Sequence, residues 1–277
     1  MSDQPAPEQT APDLHAARVG HGVGPRLVAA HGFTQTGQVW GGLLADLAVD
    51  HQVLAVDLPG HGGSGAVAAD LVTGGMLLGQ AGGPATYLGY SMGARFCLHL
   101  ALAQPARVER LVLVSGTAGL DTSDERAARR AADEALATQL DEIAASGRPD
   151  ELAAFIDRWL DGPLFAGIPP QAAGRQERRR NTAAGLASSL RLAGTGTQQP
   201  LWDRLSQLPM PVLVVTGALD DKFTALGRRL VDAIGPTATQ VVIPGTGHAP
   251  HLQRPEVVAA LVRRFIAGKL DGTGSGR

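Results

Sequence analysis

The chain has almost no cysteine: one, Cys97, in 277 residues. No internal disulfide and no multi-cysteine metal site can form, and Cys97 reads as a small buried apolar residue. Lysine is nearly as scarce, with only Lys222 and Lys269, so arginine carries the positive charge. Guanidinium grips carboxylate in a rigid two-pronged geometry, so an arginine inside a pocket points to an acidic ligand. The formal net charge of −2 leaves no basic field for nucleic acid. No apolar run approaches the roughly 20 residues of a membrane span, so no membrane insertion is expected. A basic stretch followed by an apolar core is missing from the first residues, so no secretory signal is read and a cytoplasmic location is expected. G-x-G-x-x-G does not follow the first strand, G-x-x-x-x-G-K-[ST] is absent, and no spacing resembles a metal site. No cofactor and no metal are expected. The oligomeric state is left open.

Hydrophobic residues make up 44% of the chain, enough for a sizeable core. Residues 1–24 are rich in Pro, Ala, Gln and Gly without a clear period and read as a disordered or loosely attached arm. Residues 268–277 read as a flexible tail. Between them, short apolar runs alternate with longer amphipathic segments. Strands are expected at Arg26–Ala30, Gln52–Asp57, Thr86–Gly89, Arg110–Ser115, Val212–Gly217 and Gln240–Pro244. These runs lack polar alternation, which fits strands buried on both faces of a parallel sheet. Helical stretches such as Ala94–Ala103 and Pro255–Ala267 separate them, giving repeated βαβ crossovers. The class is α/β, a mostly parallel central sheet flanked by helices, built from residues 25–117 and 201–267. Residues 118–200 hold no strand candidate and read as a helical lid insertion. It would lie over the carboxyl edge of the sheet, where open α/β sheets bind ligands.

Gly89-Tyr90-Ser91-Met92-Gly93 matches G-x-S-x-G between an expected strand and an expected helix. Such a turn strains the serine backbone, needs small flanking residues and exposes the serine oxygen at the top of the sheet. Serine needs a histidine to take its proton, and the histidine needs a carboxylate to fix its tautomer. Asp220 follows the strand VLVVTG and His248 follows QVVIP, in the order Ser, Asp, His. Asp221 competes with Asp220, and His251 with His248; Gly247 before His248 suits the tight turn. An oxyanion hole is expected from the backbone N–H groups of Met92 and Phe33. The His31 side chain reads as a brace for its loop, and Asp57-Leu58-Pro59-Gly60-His61-Gly62 as a structural turn. His51 and His99 read as structural or surface residues.

HGF, DLPGHGGSG, GYSMG, GxxD and GH together resemble the α/β-hydrolase superfamily over roughly residues 25–267. Further residues narrow the likeness. Arg95 stands one turn after Ser91. Glu125-Arg126-Ala127-Ala128-Arg129 opens the helical segment. Trp159, Pro163-Leu164-Phe165-Ala166, Arg178, Asn181, Leu186-Ala187 and Gly194-Thr195-Gly196 follow. Asp220-Asp221-Lys222-Phe223 closes the set. It resembles the menaquinone-pathway SHCHC synthases, the MenH family. That resemblance implies an α/β-hydrolase fold and a lyase that eliminates pyruvate from 2-succinyl-5-enolpyruvyl-6-hydroxy-3-cyclohexene-1-carboxylate. It further implies that Arg95, Arg129 and Arg178 face the pocket and hold carboxylates, with Trp159 and Tyr90 nearby. Arg126, Arg130, Arg179 and Arg180 stand near enough to replace them by a shift of register, and Lys222 is a further substrate-binding candidate that competes with a surface reading. Ser91, activated through His248 and Asp220, would act as a base, and the Phe33 and Met92 amides would stabilise an enolate. The partner implied is a small polycarboxylate substrate.

The segment 118–200 holds ten Arg against twelve Asp or Glu, so most of its arginines read as solvated helix faces with i,i+4 pairs. Three departures from the family pattern stand out. The stretch between Ser64 and Ala85 is glycine-rich and suggests a stunted helix. Ala94 stands where a second glycine is common. The loop from Asp220 to His248 looks slightly long. Two other functions remain compatible with the motifs. One is a serine hydrolase, an esterase or C–C bond hydrolase, acting on a small carboxylate-bearing substrate. The other is a non-catalytic small-molecule receptor on the same fold.

Overall fold

The computed structural model describes residues 13–270. Seven strands form one sheet: β1 (Ala16–Val19), β2 (Arg26–Ala30), β3 (Gln52–Val56), β4 (Ala85–Tyr90), β5 (Val108–Val114), β6 (Val212–Gly217) and β7 (Ala238–Ile243). Their order is β1-β3-β2-β4-β5-β6-β7; β1 is antiparallel to β3 and every other pair is parallel. All six expected strands are present within two residues at each end.

The apolar runs are explained by burial on both faces. Val28 and Ala30 of β2 point to one layer with Tyr87, Leu111, Leu113, Val212 and Val214. Leu27 and Ala29 point to the other with Leu88, Val112, Val114, Leu213 and Val215. The first layer is closed by α2 (Leu71–Gly82), α3 (Met92–Ala103) and, after the lid segment, α8 (Asp221–Ile234). The second is closed by α1 (Leu43–Leu47) and α10 (Pro255–Ile266), with the short α9 (Pro250–Gln253) beside them.

Two expectations are corrected. Residues 13–24 are not a loose arm, because Ala16–Val19 pairs with Val53–Val56 at the sheet edge. His15 fixes its start: its N–H donates to Ser64 Oγ at 2.8 Å and its ring nitrogen meets Asp57 Oδ2 at 3.0 Å. Residues 1–12 and 271–277 lie outside the described residues, as do those parts of the arm and tail assignments. The helix after β3 is not stunted either. α2 runs for 12 residues, equal to α3, capped by Asp70 accepting from Thr73 N–H at 2.7 Å. Its glycines serve close packing. A Cβ on Gly74 would lie 2.3 Å from the buried Phe96 ring, and one on Gly75 3.1 Å from Leu100 N. The bare backbone of α2 therefore packs directly on the Phe96 ring and on the α3 backbone.

Residues 118–200 fold as helices, as expected: α4 (Ser123–Ser146), α5 (Pro149–Leu160), α6 (Arg175–Arg178) and α7 (Ala183–Ala193). Thr122 and Glu125 start α4 with a reciprocal capping box. Leu140 of α4, Phe155 and Ile156 of α5, and Leu186 and Leu190 of α7 share a small core of their own. Of the arginines paired there, Arg129, Arg148 and Arg180 bond acids two to four residues away, and Arg175, Arg179 and Arg191 bond acids of other elements. Arg191 of α7 bonds Glu134 and Asp141 of α4 at 2.7 and 2.8 Å, and Arg175 bonds Asp157 of α5 at 2.7 Å. Arg229 of α8 holds Asp121 in a two-pronged pair at 2.7 and 2.8 Å and stacks 3.8 Å over Trp202. That clamp fastens the start of the helical segment to the sheet layer. Among the described residues no helix is long and apolar enough to cross a membrane.

Candidate active site

The strand order reverses direction at β2, since β3 lies on one side of it and β4 on the other. Open parallel sheets bind ligands outside the carboxyl ends of strands at such a switch point. The loop after β2 carries Phe33 and the turn after β4 carries Ser91, so both arrive there.

Ser91 sits at φ 51°, Thr34 at φ 64° and Ser115 at φ 47°, and these are the only non-glycine residues with positive φ among the described residues. They follow β4, β2 and β5, three neighbouring strands. Each such residue costs of order 1–3 kcal/mol, and their convergence on one sheet edge marks where the fold tolerates strain. The elbow also needs Gly93. A Cβ there would lie 1.9 Å from Ala30 O and 2.7 Å from His31 O, both backbone. Gly93→Ala should therefore cost about 3 kcal/mol or more of stability by overpacking, read as a lowered urea midpoint. An unchanged midpoint would show that the elbow does not press on β2. Ala94, where a second glycine was expected, is accommodated by Gly116, whose own Cβ would meet the Ala94 Cβ at 2.7 Å.

His248 Nε2 lies 3.3 Å from Ser91 Oγ, and His248 Nδ1 lies 2.8 Å from Asp220 Oδ2. Asp220 also caps α8, its Oδ1 accepting from Phe223 N–H at 3.1 Å. The carboxylate is thus fixed from two sides, and the Nδ1–H donated to it leaves the Nε2 lone pair facing the serine. Burial works to raise the Asp220 carboxyl, but the His248 and Phe223 bonds and nearby Lys222 prevail and hold it below the usual range. The competitors take no part in this chain of bonds. Asp221 is exposed at the start of α8. His251 is buried against Tyr90 at 4.2 Å and Trp40 at 5.2 Å, with neither ring nitrogen bonded. The stretch from Asp220 to His248 is filled by α8 and β7.

α3 starts at Met92, so its N–H is one of the unpaired donors of a helix N-terminus. The Phe33 N–H has no backbone acceptor among the described residues. The loop that presents it is held from behind. His31 Nε2 accepts from Leu58 N–H at 3.1 Å while its Nδ1–H donates to Gly32 O at 2.8 Å. His61 Nε2 accepts from Thr34 N–H at 3.3 Å while its Nδ1–H donates to Pro59 O at 3.0 Å. Asn181 donates to Thr34 O at 2.7 Å and accepts from Gly62 N–H at 2.8 Å. Both histidines brace backbone, as the sequence suggested for His31.

Burial pushes His31 down to about 4, and His61 and His251 down to about 3, from an ordinary 6.5. All three are neutral in the fold, while the unfolded chain binds their protons below about pH 6.5. Stability is therefore complete above pH 6.5 and is lost as pH falls toward the folded values, by up to ~1.4 kcal/mol per pH unit for each histidine. Chemical unfolding at about pH 7.5 and about pH 5 should show a clear loss at the lower pH. Equal stability at both would contradict the buried neutral state.

A cavity of about 640 Å³ opens above Ser91 and His248. Its wall includes Phe33, Met92, Arg95, Arg129, Trp159 and Lys222, together with Ser115, Ser189, Phe223 and Arg229. Arg95 is buried and donates through one Nη to Ala193 O at 2.7 Å; among the described residues no carboxylate pairs with it. Burial lowers its guanidinium to about 10, with Arg129 adding and Asp133 opposing, so it stays charged at neutral pH. Arg129, half-exposed, gives its Nε to Asp133 at 2.8 Å. Trp159 stands edge-on to Phe33 at 5.2 Å. Lys222 lies 5.8 Å from the Phe223 ring.

Two expected pocket residues are elsewhere. Arg178 is fully buried behind the Phe33 loop and is not on the cavity wall. Its Nε donates to Ala173 O at 2.7 Å and its Nη1 to Phe33 O at 3.4 Å and to Thr34 Oγ1, so it supports the loop, while its buried Nη2 has no partner among the described residues. Tyr90 is also buried beneath that loop: a Cβ on Gly32 would lie 2.7 Å from its ring. It packs 5.5 Å from His248 rather than lining the cavity. Phe223 was missed as a site residue; its ring stands 4.3 Å from His248. Ser115 and Ser189 had no signal in the sequence.

An α/β sheet whose switch point carries a strained serine, a histidine and a carboxylate in hydrogen-bonded series defines a class. The alpha/beta hydrolase family matches residues 27–261, and the chain belongs to it. Within that family it is similar to the SHCHC synthases. It is 32% identical over 257 residues to the putative 2-succinyl-6-hydroxy-2,4-cyclohexadiene-1-carboxylate synthase of Bacillus subtilis, covering 87% of this chain and 89% of that protein. It is 32% identical over 251 residues to the synthase of that name from Serratia proteamaculans, covering 87% and 93%. The solved structure of MenH from S. aureus superposes with a TM-score of 0.82 at 26% identity, covering 93% of this chain and 98% of that one.

Proposed function

We propose that the chain is a 2-succinyl-6-hydroxy-2,4-cyclohexadiene-1-carboxylate synthase of menaquinone biosynthesis, a lyase that releases pyruvate from the enolpyruvyl cyclohexene precursor. The observation that carries this reading is Arg95, a buried cation on the wall of the cavity above Ser91 with which no carboxylate among the described residues forms an ion pair. A neutral ester would leave that charge desolvated and unpaired, at a cost of several kcal/mol. A polycarboxylate substrate would pair it, with Arg129 and Lys222 offering further cations on the same wall.

In this reading the serine, histidine and carboxylate act together as a base. Ser91 gives its proton to His248 Nε2, and Asp220 stabilises the imidazolium. The serine oxygen removes the proton from the ring carbon that bears the succinyl group. The Phe33 and Met92 N–H groups stabilise the enolate oxygen that develops on the adjacent carbonyl. The electron pair moves through the ring double bond and expels the enolpyruvyl oxygen as the enolate of pyruvate. The ring proton now rests on Ser91, and the proton held by His248 neutralises the enolate and returns the triad to its starting state. Proton transfer and charge stabilisation suffice, so this reaction calls for no cofactor. In this reading residues 118–200 serve as the lid that excludes water, and the enzyme works in the cytoplasm.

The test is to incubate the purified protein with the precursor and follow pyruvate with a coupled dehydrogenase. Release well above the spontaneous rate is expected. Spontaneous-rate release together with rapid hydrolysis of nitrophenyl esters would replace this reading with a serine hydrolase.

A further inference from the structure

α4 is mostly a solvated face of Arg, Glu and Ala, yet one of its carboxylates is almost wholly buried. Asp133 is 3% exposed, and its Oδ2 has no hydrogen-bond partner among the described residues. Charged groups are rarely left so unless a specific arrangement holds them. Two features enforce the burial. Gly194 yields the room: a Cβ there would lie 2.6 Å from Asp133 Oδ2. Asp133 Oδ1 accepts the Arg129 Nε–H at 2.8 Å, one turn back along the helix.

The bond to Nε has a geometric consequence. A guanidinium held sideways through Nε keeps its end-on edge, the two Nη groups, for another acceptor. Among the described residues neither Nη of Arg129 is bonded, and Arg129 lines the cavity. Asp133 also favours the charged form of Arg95, another cavity arginine, through space, while Ala193 O accepts from Arg95 at 2.7 Å. One buried carboxylate therefore bonds Arg129 and favours the charge on Arg95, two of the arginines that line the cavity above Ser91.

We propose that Asp133 is a positioning residue: it fixes Arg129 so that its Nη edge faces the cavity and captures a substrate carboxylate. It touches no reacting atom and acts through Arg129. The inference rests on the lyase reading for the identity of the substrate, but not for the presence of a carboxylate site.

The experiment compares wild type, Asp133→Asn, Arg129→Met, the double variant and Arg129→Lys. Each is measured for steady-state pyruvate release and, by calorimetry, for succinate binding, with a thermal melt to establish folding. Asp133→Asn should raise KM and the succinate Kd about tenfold, the size of one lost charge-assisted contact, with kcat near wild type. In the Arg129→Met background, Asp133→Asn should add almost nothing, because its effect runs through Arg129. Arg129→Lys lies at a half-exposed site and carries little folding risk. It keeps the charge but cannot bond Asp133 sideways and a carboxylate end-on, so it should raise both constants as Asp133→Asn does. Wild-type KM and Kd in Asp133→Asn, or in Arg129→Lys should the first variant not fold, would overturn the proposal. So would full additivity of the Asp133 and Arg129 effects. If wild type releases no pyruvate while Asp133→Asn still weakens succinate binding, the lyase reading falls and the role of Asp133 stands.

Discussion

Ser91→Ala should lower kcat for pyruvate release by about 10⁴-fold while leaving KM within a few-fold of wild type. The hydroxyl is the only group of the elbow that both bonds His248 Nε2, at 3.3 Å, and opens onto the cavity. Removing it leaves His248 oriented by Asp220 but with a methyl group between its lone pair and the substrate. The proposed carboxylate partners are other residues of the cavity wall, Arg95, Arg129 and Lys222, so ground-state binding should survive. The residual rate should come from the backbone donors at Phe33 and Met92 and from positioning alone. A fall in kcat under tenfold would mean that another base, with His248 itself the nearest, takes the ring proton.

Arg95→Met should reduce kcat/KM by about 100-fold or more, mainly through KM. Met matches the length of the buried stem and avoids a cavity, so the change isolates the charge. The cost has two parts. The substrate carboxylate loses a desolvated partner, and Ala193 O, at the end of α7, loses the donor at 2.7 Å. The second part should lower stability by about 1–3 kcal/mol, visible in a melt but too small to unfold the protein. Arg95→Lys should not restore the wild-type value, because an ammonium cannot hold Ala193 O and a carboxylate in the fork geometry. Hydrolysis of a neutral nitrophenyl ester, if any is present, should be spared by both variants. Equal losses on the neutral ester and on the polycarboxylate would show that Arg95 supports the fold rather than the substrate.

The strands and the Ser91, Asp220 and His248 positions were readable because each depends on local pattern. A β-branched run buried on both faces announces a parallel strand, and a residue after such a run must lie at the carboxyl edge. β1 was not readable, since Ala16-Ala17-Arg18-Val19 is short, only partly buried and held at an edge by partners 30 or more residues away. α2 was misjudged because glycine lowers helix propensity, whereas here it is the contact with Phe96 and Leu100 that stabilises the helix. The placement of arginines was the least legible feature. Arg129 and Arg178 sit in similarly charged helical stretches. One reaches the cavity and the other supports the Phe33 loop, a difference set by how α4 and α6 pack and not by their periodicity. The same packing hid Asp133, which looks in the sequence like one more solvated acid.

Ser91 should take a ring proton and should not attack a carbonyl. Single-turnover pyruvate release from a substrate deuterated at the ring carbon bearing the succinyl group tests it most directly. The proposed elimination breaks that bond in the chemical step, so the deuterated substrate should release pyruvate more slowly than the unlabelled one. Identical rates, with an acyl group found on Ser91 by intact-mass spectrometry, would contradict it.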